Sequence, residues 1–202
     1  MPSDVPWLEL WCQERSSVRL TLFWSGDRYA HRLEWLDNGR RVVCLESLEG
    51  ADHQCWPSSP ALQQLNMQSK VLGEPCALLL GMAGRSHWSA SIEVSGTALI
   101  FDVACRVQNM PERLGSIYLI GESCCETAMG ADGSCRILWA TGHGECAIEV
   151  KADEATLLCD QHQGRLTVLP GAAGKDGPGL VRWGYVLRVI PPNELLGEGV
   201  TQ

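Results

Sequence analysis

The sequence has no apolar run approaching the ~18–20 residues that cross a bilayer as a helix. Its longest candidate, Ala77 to Leu80, is far too short, so no membrane partner is expected. It has no positive excess either. Sixteen basic side chains stand against 24 acidic ones, a net charge of -8, and a field of that sign repels phosphate backbones. The densest basic spots, Arg40-Arg41 and the isolated Arg28 and Arg32, are interleaved with acids. No nucleic-acid partner is expected. The chain opens Met1-Pro2-Ser3-Asp4-Val5-Pro6 without a basic leader, and Glu9 and Glu14 break its first apolar stretch. That pattern carries the expectation of no signal peptide. There is no long amphipathic helical pattern, no G-x-S-x-G elbow and no cofactor signature, so no cofactor is expected.

What is present is a globular composition, 45% hydrophobic and 20% charged, which excludes disorder. A length of 202 residues suits one domain spanning 1–202. Ten cysteines would suggest disulfides in a secreted protein. Here no export signal accompanies them, and Cys44 and Cys105 sit where a strand core wants a small apolar residue. Most are read as buried free thiols in a reducing cytoplasm.

The dominant pattern is period-two alternation broken by tight turns, which builds hairpins. Val18, Leu20, Leu22 and Trp24 alternate with polar residues up to Gly26-Asp27; Tyr29, His31, Leu33 and Trp35 alternate after it. A two-residue loop pairs Trp24 with Tyr29, Leu22 with His31, Leu20 with Leu33 and Val18 with Trp35, and sets Arg19 against Glu34 on the other face. Asn38-Gly39 predicts the next turn, because a type I′ turn needs positive φ at both central residues. Residues 50–75 read as irregular, with one short helical turn over 59–65 capped by Ser59 with Pro60 at its first position. Gly81 to Arg85 reads as a glycine-bearing loop.

In a second hairpin Trp88, Ala90, Ile92 and Val94 lead to a Ser95-Gly96 turn, followed by Leu99, Phe101, Val103 and Cys105. That register pairs Ile92 with Leu99, Ala90 with Phe101 and Trp88 with Val103. Segments 115–120, 135–140, 146–150, 165–169 and 181–190 read as further strands, Asp132-Gly133 as another hairpin turn and 171–179 as a flexible loop. The tail after Pro191-Pro192 is expected to be poorly ordered at its end. Roughly ten strands with alternating faces predict an all-β antiparallel sandwich of two packed sheets, with a flattened β-barrel as the alternative.

The polar face of the second hairpin is the candidate site. In the register above, Ser89 lies opposite Asp102 and His87 diagonal to it, with Arg106 further along and Arg85 in the preceding loop. A serine nucleophile needs a base in reach and a carboxylate to orient that base, and those residue types are present. A flat sheet face lacks the sunken pocket and oxyanion hole such chemistry needs, so a polar face or a binding face is the plainer reading. Eight tryptophans raise a sugar-stacking site. Trp24, Trp35, Trp88, Trp139 and Trp183 fall in strands or on core faces, which leaves Trp56, Trp7 and Trp11 as surface anchors. Cys124-Cys125, Cys135, His143 and Cys146 raise zinc, but no paired C-x₂-C knuckles accompany them, and no metal is expected. His31 reads as a core histidine, while His53 and His162 carry no signal. The leading expectation is a non-enzymatic module that binds a small molecule or a protein. The alternatives are a hydrolase-type enzyme acting through His87 and Asp102, and a structural homo-oligomer subunit, a homodimer being the commonest such form.

Overall fold

Alternating strands run through nearly all of the chain and leave no helix among the described residues. This computed structural model describes residues 5–13, 16–37, 39–69, 74–141, 144–171 and 178–190. One antiparallel sheet has seven strands. In spatial order they are β1 (Trp7–Gln13), β2 (Ser16–Ser25), β3 (Arg28–Asp37), β4 (Arg40–Ser47), β9 (Ser116–Ile120), β14 (Arg165–Pro170) and β13 (Ala155–Asp160). The other has eight: β10 (Cys124–Met129), β11 (Cys135–Thr141), β12 (Gly144–Asp153), β15 (Gly179–Ile190), β8 (Ala98–Val107), β7 (Ser86–Ser95), β6 (Pro75–Ala83) and β5 (Gln64–Ser69). The sheets stay separate, with β1 and β13 as edges of one and β10 and β5 as edges of the other. This is a sandwich and not a closed barrel.

The first hairpin has the expected register. Trp24 faces Tyr29, Leu22 faces His31, Leu20 faces Leu33, Val18 faces Trp35 and Arg19 faces Glu34. Gly26 takes φ +62° in its turn, a left-handed conformation that favours glycine. Asp37 pairs with Arg40 across Gly39 as the sequence predicts, although Asn38 lies outside the described residues.

The second hairpin corrects the expectation. Its turn is Gly96-Thr97, not Ser95-Gly96, and Ile92 faces Phe101, Ala90 faces Val103 and Trp88 faces Cys105. Gly96 has φ +57° and opens the turn instead of closing it. The slip is two residues, which leaves the inward face intact because side chains alternate with period two. Three further expectations are overturned. The described residues hold fifteen strands, not roughly ten. Gly81 to Ala83 belong to β6 instead of a loop. The helical turn over 59–65 does not form. Ser59 Oγ instead donates to Ile117 O at 3.1 Å and accepts from Ile117 N at 3.2 Å, and Gln64 onward joins the sheet as β5. A single turn gains too little to repay its nucleation, so tertiary bonds decide the segment.

The inward faces form one apolar core that includes Trp35, Trp88, Trp139 and Trp183. Trp88 meets Trp183 edge-to-face at 6.2 Å, and Phe101 stacks on Tyr185 at 4.6 Å. Each such ring removes roughly 150–250 Å² from water. Trp24 is the exception to its expected core face. It is 54% exposed, and its ring meets that of Tyr29 edge-on at 5.2 Å. Trp56 is not a surface anchor, for it packs half-buried against the core. Trp7 is exposed; the side chain of Trp11 lies outside the described residues. Of the cysteines, Cys44, Cys76, Cys105, Cys135 and Cys146 are buried and outside any disulfide. Burial pushes the Cys105 thiol up to about 12, so it is an inert core filler. The 172–177 stretch of the expected flexible loop and the tail after Pro191 lie outside the described residues.

Candidate functional site

The outer face of β7 and β8 does not assemble the group that its sequence suggested. With the corrected register His87 faces Arg106, Ser89 faces Ala104, and Asp102 faces Ser91. His87 and Asp102 are thereby four positions apart along the sheet, roughly 13 Å by strand rise. Asp102 instead accepts from Arg182 Nη2 on the neighbouring β15 at 2.6 Å. Both partners are about half exposed, and an ion pair of that kind is worth about 0–1 kcal/mol. Arg85 is exposed in the β6–β7 turn, and Trp56 belongs to the 48–63 loop. The six residues therefore do not form one pocket. Cys124 is half-buried beside an exposed Cys125, His143 lies outside the described residues, and no group of three metal-ligating side chains occurs among those described.

A different site lies at the rim of the sandwich. The β2–β3 turn, the 48–63 loop and the β6–β7 turn converge there around a cleft of about 340 Å³, lined by Asp27, Arg28, His53, Gln54, Gln63 and Met82 to Gly84. Arg28 is only 2% exposed. Its Nε donates to Asp27 Oδ1 at 2.6 Å and its Nη2 to Ala51 O at 3.2 Å. Its Nη1 is buried with no hydrogen-bond partner among the described residues. The other Asp27 oxygen accepts from the His53 backbone N–H at 2.8 Å. The Arg28 hydrogen bond, together with that backbone bond and the nearby charges, outweighs desolvation and holds the Asp27 carboxyl below its ordinary value. His53 has φ +60°, a left-handed conformation that is strained for a non-glycine residue. It places the exposed imidazole with Nδ1 3.6 Å from Asp27 Oδ2.

The cleft walls are locked to each other. Gln63 accepts from Met82 N at 2.6 Å and donates to Met82 O at 2.9 Å, so its side chain extends the sheet ladder past the end of β5. Tyr29 N donates to Leu62 O at 2.7 Å and ties the loop to β3. A Cβ at Gly81 would lie 2.0 Å from Ala61 O, which shows how closely the loop is pressed onto β6.

No protein-family model and no curated protein matches this chain. Function is therefore argued from geometry, because a sandwich fold hosts many unrelated activities.

Beneath the cleft a polar chain crosses the core. His31 N donates to Ser47 Oγ at 2.9 Å, and Ser47 Oγ donates to Glu49 Oε1 at 2.5 Å. The His31 ring shares a hydrogen bond of 2.7 Å with Tyr118 OH, which bonds Tyr185 OH at 2.5 Å. His31, Glu49, Ser59, Ser116 and Tyr185 line a cavity of about 10 Å³ between the sheets, the size of about one water. Burial drives His31 down to about 4, so the imidazole is neutral at pH 7. Burial also drives Glu49 up to about 7, against the opposing Ser47 hydrogen bond and the charge of Arg28. Glu49 Oε2 is buried without a hydrogen-bond partner among the described residues.

Sequence reasoning missed Arg28, Asp27, His53, Gln54 and Gln63 as one group. Gly26-Asp27 was legible only as a turn. The signal available was an arginine immediately after that turn, on a strand with apolar neighbours. Its burial depends on the 51–54 loop, which no local pattern places.

Proposed function

We propose that this domain is a non-enzymatic binding module whose site is the rim cleft. Its ligand is a small polar molecule that offers hydroxyl or amide groups. The observation that carries the reading is the ion pair of buried Arg28 with half-buried Asp27 in the lining of a cleft of about 340 Å³. A volume of that order fits a small ligand. The exposed side chains of His53 and Gln54 put donors and acceptors together at the walls, and that suits a ligand with both kinds of group. The hydrogen bonds from Gln63 and Tyr29 fix the walls beforehand, which reduces the ordering cost of binding.

Catalysis has less support. Both Asp27 oxygens are engaged, one by Arg28 Nε and one by His53 N. The imidazole of His53 stands 3.6 Å from the carboxylate, beyond the reach at which a carboxylate orients a catalytic base. The outer face with His87 and Asp102 is a lesser candidate for the same reason of distance.

A thermal-shift screen of sugars, amino acids and short peptides tests the proposal. A ligand at 100 times its Kd stabilises by about 2.7 kcal/mol, a midpoint shift of roughly 5–10 °C for a domain of this size. Gln54→Ala and His53→Ala are expected to abolish the shift, and His87→Ala to keep it. A hit that is lost in His87→Ala and kept in the other two would move the site to the outer face of β7 and β8.

A further inference from the structure

Of the four sheet edges, one is unlike the rest. β1 carries Glu9, β10 carries Glu126 and β13 ends on Asp160, charges that discourage pairing with another chain. β5, Gln64-Leu65-Asn66-Met67-Gln68-Ser69, has neither a charge nor a proline. Among the described residues it pairs with β6 on one side only, so alternate residues turn their N–H and C=O groups to the open side. Its pattern is symmetric about Asn66: amide, apolar, amide, apolar, amide. An antiparallel copy centred there sets Gln64 against Gln68, Leu65 against Met67, and Asn66 against itself. Amides then meet on one face and apolar side chains on the other.

The surroundings agree. Met67 shares its face with the core position Ala77 opposite it, yet is 38% exposed. The edge strand of the other sheet, β1, packs against β6 and β7, which leaves Met67 overhanging the sandwich. Across from Asn66 and Gln64 stand the exposed Leu78 and Leu80 of β6, so apolar surface continues beside the edge.

We propose that β5 is a homodimer interface, with two copies of this chain paired antiparallel through β5 and Asn66 on the two-fold axis. The dimer joins the two eight-stranded sheets into one continuous sheet. Closed two-fold pairing of this kind uses the same patch on both subunits. The inference stands apart from the cleft.

Light scattering of the full chain across a concentration series is expected to show a dimer that dissociates on dilution. Asn66→Lys and Asn66→Glu each place like charges directly across the axis, and each is expected to weaken dimerisation by about tenfold or more. Asn66 is exposed on an edge, so both variants should keep the wild-type circular dichroism and thermal midpoint. Mixing the two variants should restore the dimer. Amide hydrogen exchange of the wild-type chain gives a second readout that needs no variant, with slower exchange in β5 at high concentration than at low. A strict monomer at high concentration, a dimer indifferent to both substitutions, or unchanged exchange in β5 would each overturn the proposal.

Discussion

Two buried side chains in the core, Glu49 and His31, have opposite effects on pH dependence. Glu49 titrates at about 7 in the fold against its ordinary 4.5. The fold keeps a proton that the unfolded chain releases, so its stabilising contribution is full below pH 4.5 and is lost as pH rises to 7. His31 titrates at about 4 against 6.5. There the unfolded chain takes up a proton that the fold refuses, so stability is lost as pH falls from 6.5 to 4. Each shift corresponds to roughly 3 kcal/mol. The two opposing slopes overlap between pH 4.5 and 6.5 and cancel to first order. Glu49→Gln should therefore unmask His31: urea denaturation should show stability rising by roughly 3 kcal/mol from pH 4 to 6.5, where the wild-type chain is much flatter. A variant profile parallel to wild type would contradict the assignment. A second residue prediction concerns Ser116, whose Oγ accepts from Trp183 Nε1 at 3.3 Å in the core. Ser116→Ala strands that buried N–H and should cost about 1–3 kcal/mol in the same measurement.

At the scale of elements, two glycines separate steric from conformational demand. Gly81 lies in β6 without a positive φ, but a Cβ there would meet the Ala61 carbonyl oxygen at 2.0 Å. Gly81→Ala should push the 48–63 loop off the sheet and cost about 2–4 kcal/mol. Gly96 has open space around it but φ +57°, so Gly96→Ala should cost only about 1–2 kcal/mol. Chemical denaturation of the two variants orders them, and an equal or reversed order would refute the distinction. The same glycines mark what the sequence disclosed. Gly26-Asp27 and Gly39 placed two turns correctly because the apolar faces on both sides agreed with only one register. Gly96 left two registers of the same parity, and hydrophobic alternation cannot separate a slip of two residues. β1, β5, β10 and β13 escaped notice because edge strands bury one flank only and their patterns are short or mixed. β6 was hidden by glycines that read as a loop.

For the molecule as a whole, the sandwich was legible and the cleft was not. Alternation reports which face of a strand is buried, and that is enough to predict two packed sheets. The cleft depends on contacts far apart in sequence: Gln63 on Met82, Tyr29 on Leu62, and His53 on Asp27. No local spacing encodes these. The outer-face group of His87, Ser89, Asp102 and Arg106 read as a site because each residue type was right, and a two-residue difference in register then set His87 against Arg106 and moved Asp102 away from it. Mapping amide chemical shifts of the ¹⁵N-labelled chain during titration with a compound from the thermal screen decides whether the rim cleft is the binding site. Saturable shifts are expected at Asp27, Arg28, His53, Gln54 and Met82 to Gly84, with the amides of His87, Ser89 and Asp102 unmoved. Shifts centred on β7 and β8 with the cleft silent would contradict that placement.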